Sequence, residues 1–197
     1  PLASLGSFLR QSANDFPKHP EAYIVPDPER INYFKNILSQ KKKLKIGISW
    51  STIGARSGKR TISLDQMSKF LTLPDVEFIN LQYGDTTEER GKFKEKFHKE
   101  IIDFTQYNLS NNFENLAALI QNCDLIITIS NITAHIAGAI GKKTIVVVPV
   151  YTQWHWFHER NNSLWYPDVQ LFRQQQYGQW EDVIDKLYNE VKIKIST

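Results

Sequence analysis

From residue 44 onward the chain alternates short β-rich runs with stretches of helical period, and this alternation limits the possible folds more than any other feature. The candidate strands are Leu44 to Trp50 (LKIGISW), Val76 to Leu81 (VEFINL), Ile101 to Phe104 (IIDF), Asp124 to Ile129 (DLIITI), Thr144 to Val148 (TIVVV) and Val169 to Phe172 (VQLF). Between them lie candidate helices at Leu64 to Leu71, Thr86 to Lys99, Phe113 to Asn122, Ile132 to Ile140 and Gln179 to Lys192. The alternation implies right-handed crossovers and a parallel sheet covered on both faces, an α/β doubly wound fold.

The first forty residues differ. Pro17, Pro20, Pro26 and Pro28 interrupt them, and no period is sustained. They read as a leader with a short extended piece, Ala22 to Val25, and then a helix from Pro28 to Gln40 entered through its proline. The expected organisation is a leader over 1–40 and one domain over 41–197. The chain opens on Pro1 rather than Met, so it is expected to be a piece of something longer.

In the commonest doubly wound order, 3-2-1-4-5-6, the order reverses between the first and fourth strands, and ligands bind at their carboxyl ends. The first of these ends leads into Ser51 and the loop STIGARSGKR, the second into the polar knot SNITAH, Ser130 to His135. Ser130 and Asn131 are helix-capping residue types and Thr133 falls in the first turn, where unpaired N–H groups and the helix dipole favour a phosphate. The same pattern also fits a simple cap followed by a core histidine, His135. Across the crevice Arg56, Lys59 and Arg60 lie among glycines 54 and 58, and cations there would neutralise a diphosphate. A solvated basic loop is the alternative.

Other chemistries lack their residues. Neither GxxxxGK[ST] nor GxGxxG occurs, which argues against a P-loop nucleotidase and a nicotinamide dehydrogenase. His155 and His158 stand three apart with no further ligand at useful spacing, so no metal is expected. The segment WHWFHERNNSLWYPDVQLFRQ can wall a sugar or base, or pack over the sheet edge. A lone cysteine, Cys123, precludes an internal disulfide and reads as a buried small residue in a reducing, cytoplasmic setting. A net charge of +3 without a basic stripe gives no case for nucleic acid, and no apolar run is long enough to span a bilayer. The N-x-[ST] matches at Asn108, Asn131 and Asn161 are read as accidental.

LKIGISW, GKRTISL, VEFINLQYGD, NLAALIQNCDLIITISNITAHIAGAIGKKTIVVVP and WHWFHERNNSLWYPDVQLFRQ, in that order, resemble the C-terminal half of glycosyltransferase family nine. The likeness covers almost the whole chain. It is similar in particular to the bacterial branch fused behind tetratricopeptide repeats, related to the heptosyltransferases. The resemblance implies a Rossmann-like domain forming the donor half of a two-domain (GT-B) enzyme, with a missing N-terminal half supplying acceptor contacts and the general base. It implies that Ser130, Asn131, Thr133 and His135 meet the diphosphate of a nucleotide sugar. Lys59 or Arg60 would be the phosphate cation, and Ser51 and the Gln82 to Gly84 loop would line the donor site. No cofactor is implied, and the acceptor would be a saccharide or protein.

Two positions depart from the family. Ser130, Asn131 and Ile132 stand where many heptosyltransferases have Asp-Thr-Gly, which removes the ground for assuming a heptose donor, and Lys143 stands where proline is usual. The rival readings are a non-catalytic nucleotide- or sugar-binding module and a protein-interaction module.

Overall fold

A computed structural model describes residues 4–17, 22–39, 43–52 and 61–196. Six strands, β1 (Leu44–Ser49), β2 (Val76–Asn80), β3 (Ile101–Ile102), β4 (Leu125–Ile129), β5 (Thr144–Val148) and β6 (Val169–Arg173), form one sheet in the order β3-β2-β1-β4-β5-β6. Every adjacent pair is parallel, with Ile46 opposite Phe78 and Leu125, and Val146 opposite Thr128 and Leu171. This is the doubly wound, Rossmann-like order, and it reverses between β1 and β4 as expected.

Five helices accompany these strands: α3 (Leu64–Leu71), α4 (Thr87–Phe97), α5 (Phe113–Gln121), α6 (Ile132–Ala139) and α7 (Glu181–Ile195). Two more precede the sheet, α1 (Leu5–Leu9) and α2 (Pro28–Leu38). Side chains of β5 show how the layers form. Ile145 and Val147 pack toward Leu64, Met67 and Phe70 of α3 and Val183 and Leu187 of α7, while Val146 and Val148 face the opposite side with Ala134 and Trp156. Because both faces are buried, alternate residues need not be polar, and the strand is apolar throughout. On the second face Phe34 of α2, Leu116 to Ile120 of α5 and Ile136 of α6 close over Ile79 and Ile126.

Element ends follow local polar chemistry. Trp50 leaves the first strand because its N–H donates to the Gln82 side chain (2.9 Å). The third strand stops two residues earlier than its apolar run because Asp103 turns to Arg90 (2.9 Å) and Asn80 (2.9 Å). His98 ends α4 in the left-handed region, φ 53°. The piece 22–25, expected to be extended, joins no sheet; it lies against α6, with the Ile24 N–H on the Ala139 carbonyl (3.1 Å). The leader is also less irregular than its prolines imply, since α1 and a 3₁₀ turn, Ala13–Asp15, interrupt it. That turn is set by a capping box in which the Ser12 N–H donates to Asp15 (2.7 Å). Cys123 is buried as expected, and burial pushes its thiol up to about 12. Among the described residues no helix is long and apolar enough to cross a membrane.

Gly138 sets the approach of α6 to the segment before β6. A Cβ there would fall 2.5 Å from Cγ of Tyr166 and 2.9 Å from its Cβ, near the backbone where the ring cannot yield. Gly138→Ala is expected to lower unfolding stability by about 1–3 kcal/mol through overpacking, read from the urea midpoint. An unchanged midpoint would show that Tyr166 moves freely.

Candidate functional site

β1 and β4 stay paired to their carboxyl ends, with Ser49 opposite Thr128, and the chain leaves them toward opposite faces, to α3 and to α6. Asn131 sits at the crevice this opens. Its Oδ1 accepts the Thr133 N–H (3.0 Å), capping α6, and the Thr128 hydroxyl (3.1 Å). Its Nδ2 donates to the Ser49 hydroxyl (2.7 Å) at the end of β1, and Ser49 donates to Oε1 of Gln82 (3.0 Å) beyond β2. The same Gln82 oxygen receives the N–H groups of Trp50 and Ser51, and its Nε2 donates to the Tyr83 carbonyl (3.1 Å). One buried amide lattice thus joins the ends of three strands. Thr133 belongs to it too, fully buried with its hydroxyl on the Leu81 carbonyl (3.4 Å).

Ser130, next to Asn131, sits in a second chain of bonds. Its hydroxyl accepts from Nε1 of Trp156 (2.7 Å) and donates to Oε1 of Gln153 (2.6 Å). Trp156 also links Ser130 to His135, since the imidazole stacks on its ring at 5.3 Å with planes 16° apart. Nδ1 of His135 lies 3.2 Å from the Tyr166 hydroxyl, and the His155 ring is 4.9 Å away. His135 is therefore on the flank of α6, in its second turn, rather than at the helix mouth. Burial holds His135 below its ordinary value, and burial together with the nearby His135 pushes His155 down to about 4.

The candidate residues thus separate. Ser51, Gln82, Asn131 and Thr133 come together, Ser130 adjoins them, and His135 reaches them only through Trp156. Gly84 lies just outside at φ 84°, its N–H on the Ser110 hydroxyl (3.4 Å). Lys59 and Arg60, with Arg56 and glycines 54 and 58, lie outside the described residues. Ser49, Gln153, Trp156 and Asn80, whose Oδ1 accepts the Gln82 N–H (3.0 Å), are the participants that sequence reasoning missed. Polar residues ending apolar runs, as in FINLQ, were the available signal for Asn80.

Beside the lattice is a cavity of about 190 Å³ lined by Leu81, Tyr83, Leu109, Ser110, Phe113 and Ile132. Phe113 and Ile132 also border a shallower groove of about 390 Å³ that runs to His135 and Tyr166. Opposite, Asp103 forms an ion pair with Arg90; burial favours its neutral form, but hydrogen bonds from Thr105 and Asn80 and the Arg90 charge prevail and hold the carboxyl below its usual range. Glu89 receives Nε1–H of Trp50 (2.9 Å) and the Leu64 N–H (3.3 Å), fixing where the loop after β1 returns to α3. Among the described residues no three His, Cys, Asp or Glu side chains converge as a metal centre would require.

Asn131→Ala removes the cap and both ties at once and is expected to cost about 2–4 kcal/mol, measured by chemical denaturation. Asn131→Asp keeps the accepting oxygen and should lose less. A second expectation concerns pH. His155 titrates near 6.5 when unfolded and near 4 when folded, so the unfolded chain binds more protons between those values. Stability should therefore fall as pH drops from about 6.5 toward 4, and His155→Phe should flatten that fall in a melting-temperature series. Parallel curves for parent and variant would contradict the assignment.

No protein-family model matches the chain. Among curated proteins it is 32% identical over 194 residues to Protein FlbA of Caulobacter vibrioides, an alignment that takes 94% of this chain and 32% of that protein. Among solved structures it resembles the glycosyl transferase family 9 protein of Veillonella parvula, with TM-score 0.57 and 13% identity over 87% of this chain and 45% of the other. It also resembles the E. coli ADP-heptose LPS heptosyltransferase II, with TM-score 0.62 and 12% identity over 94% of this chain and 57% of the other. The chain spans 32% of the curated relative's length and 45% and 57% of these two structures. At such identities the likeness concerns architecture, and the chain shares the Rossmann-like α/β fold of family 9 glycosyltransferases.

Proposed function

We propose that this chain is the donor-binding half of a metal-independent GT-B glycosyltransferase, seating a nucleoside-diphosphate sugar at the carboxyl edge of the sheet. The observation that carries this reading is the capped mouth of α6 at the strand-order reversal, beside an apolar cavity of about 190 Å³. A helix start presents N–H groups and positive dipole to a diphosphate, and the cavity between Tyr83 and Phe113 gives a flat base two apolar walls.

The chemistry follows from that seat. As the glycosidic bond to the donor breaks, negative charge grows on the departing diphosphate, and preorganised N–H groups with Lys59 or Arg60 stabilise it more than the ground state. The asparagine lattice matters here because it costs no reorganisation: Asn131 is already pinned by strands on either side. The acceptor hydroxyl must also lose a proton to a base. Asp85, Glu89, Asp103 and Glu114 each already accept hydrogen bonds within the fold, which supports a base supplied by a missing N-terminal half. The sugar acceptor, a saccharide or protein, would then dock against that half. The chain alone should bind donor and turn over nothing.

One observation favours a non-catalytic binding module instead: Ser130, standing where many heptosyltransferases have an acid, is held between Trp156 and Gln153. A nucleotide-binding module would share the donor seat, whereas a sugar-binding one would respond to saccharide without nucleotide.

A thermal-shift panel of UDP, GDP, ADP and CMP with their sugar derivatives tests it. Ligand at about 100 times its dissociation constant should stabilise the fold by about 2.7 kcal/mol. Lys59→Ala or Arg60→Ala should weaken diphosphate binding about tenfold, or about 1.4 kcal/mol, relative to the bare nucleoside. Absence of any shift at millimolar nucleotide would overturn the proposal.

A further inference from the structure

Most buried amides at the carboxyl edge are fully engaged, as Asn131 and Gln82 show. Gln174 is not. It follows β6 directly, and its N–H donates to the Val148 carbonyl at the end of β5 (3.0 Å). Its side chain is 1% exposed, yet neither Oε1 nor Nε2 has a hydrogen-bond partner among the described residues. An amide buried in this way destabilises the fold, and a leucine or methionine would fill similar space without that penalty. Packing therefore gives no reason for glutamine at this position, whereas a ligand with adjacent donor and acceptor groups does.

The surroundings indicate the kind of ligand. Three residues beyond each partner of the Val148–Gln174 bond stands a tyrosine, Tyr151 at 74% and Tyr177 at 49% exposure, with ring centroids 6.2 Å apart. Trp154 on the same loop as Tyr151 is also exposed, and between them Oγ1 of Thr152 is buried without a partner among the described residues. Exposed rings in the segments that carry unpaired polar groups match a polyhydroxylated ring, which offers C–H faces to aromatics and vicinal hydroxyls, each donor and acceptor, to an amide. Position agrees with this. The 190 Å³ cavity lies toward β2, the α6 mouth follows β4, and Gln174 follows β6, two strand spacings or about 10 Å further along the edge.

We propose that the ends of β5 and β6 form a saccharide subsite, with Gln174 selecting hydroxyls and Tyr151 and Tyr177 as the stacking surface. The proposal deepens the donor-site reading and rests on it for the placement of the nucleotide. The ring is either the donor's sugar or part of an acceptor saccharide, and the chemistry of recognition is the same. Because the amide is buried, engagement requires a local rearrangement of the segments after β5 and β6, in which a mostly exposed Tyr151 can move at little cost.

Calorimetric titration of the 197-residue chain with UDP, GDP and ADP against UDP-glucose, GDP-mannose and ADP-glucose reads the donor arm. Amide NMR shifts with maltotriose, mannotriose and chitotriose, without nucleotide, read the acceptor arm. The variants are Gln174→Leu, Tyr151→Ala and Tyr177→Ala. A donor sugar at this subsite predicts that the affinity gained by the sugar form over its bare diphosphate shrinks about tenfold in Gln174→Leu, with bare diphosphate affinity unchanged. An acceptor saccharide predicts oligosaccharide shifts in the parent that vanish in the variants. In both cases Gln174→Leu melts at or above the parent temperature.

Loss of more than about 5 °C in Gln174→Leu would mean that the amide has a structural partner, and the proposal falls. It also falls if nucleotide binds while all variants treat sugars as the parent does, and then the donor reading stands. If oligosaccharide binds at the tyrosines and no nucleotide binds, the donor reading fails and the subsite survives. Binding of neither ligand overturns both.

Discussion

The amide of Asn131 is the interaction on which the carboxyl edge of this sheet depends. Where its order reverses, a doubly wound sheet sends the chain to opposite faces from two adjacent strands, which opens a crevice outside their carboxyl ends. Here one side chain accepts the Thr133 N–H in the first turn of α6 and the Thr128 hydroxyl, donates to the Ser49 hydroxyl, and through Ser49 reaches Gln82. A buried polar network of this kind rigidifies only when every member is paired, and these members are. The start of α6 is thereby tied to the ends of β1 and β4.

Around that crevice the two faces of the sheet carry different loads. The α3 and α7 face is built from large aliphatic side chains meeting β4 and β5, with Trp50 and Trp180 fully or almost fully buried among them. The α6 face is closer and thinner, using Ala134, Ala137 and Gly138 so that the helix approaches the sheet and Tyr166. Small residues there leave room for α6 beside the sheet, while α2 and α5 supply the bulk on the same face.

Much of the architecture was legible because parallel strands buried on both faces leave uninterrupted runs such as TIVVV, and because α3 and α7 repeat their apolar residues at helical spacing. The strand order is the commonest one for a doubly wound sheet, as expected. The site was less legible for a physical reason. A polar residue after an apolar strand has the same appearance whether it faces a ligand or a neighbouring carbonyl. Thr133 and Gln82 turned inward, His135 rotated to the flank of α6, and Gln174, which drew no notice in the string VQLFRQ, proved to be the unpaired amide. Only the three-dimensional exchange of donors and acceptors separates these cases.

The leader has a consequence in time rather than in space. Phe16 packs edge-on against Phe157 and Trp165, and the Tyr23 hydroxyl donates to the Trp165 carbonyl 142 residues later. During synthesis these aromatics emerge long before their partners, and at 5–20 residues per second they wait roughly 7–28 s. A nascent chain of this kind carries an unsheltered aromatic segment until nearly its last strand is made, and that interval is when capture by a chaperone, or by another nascent copy, competes with folding.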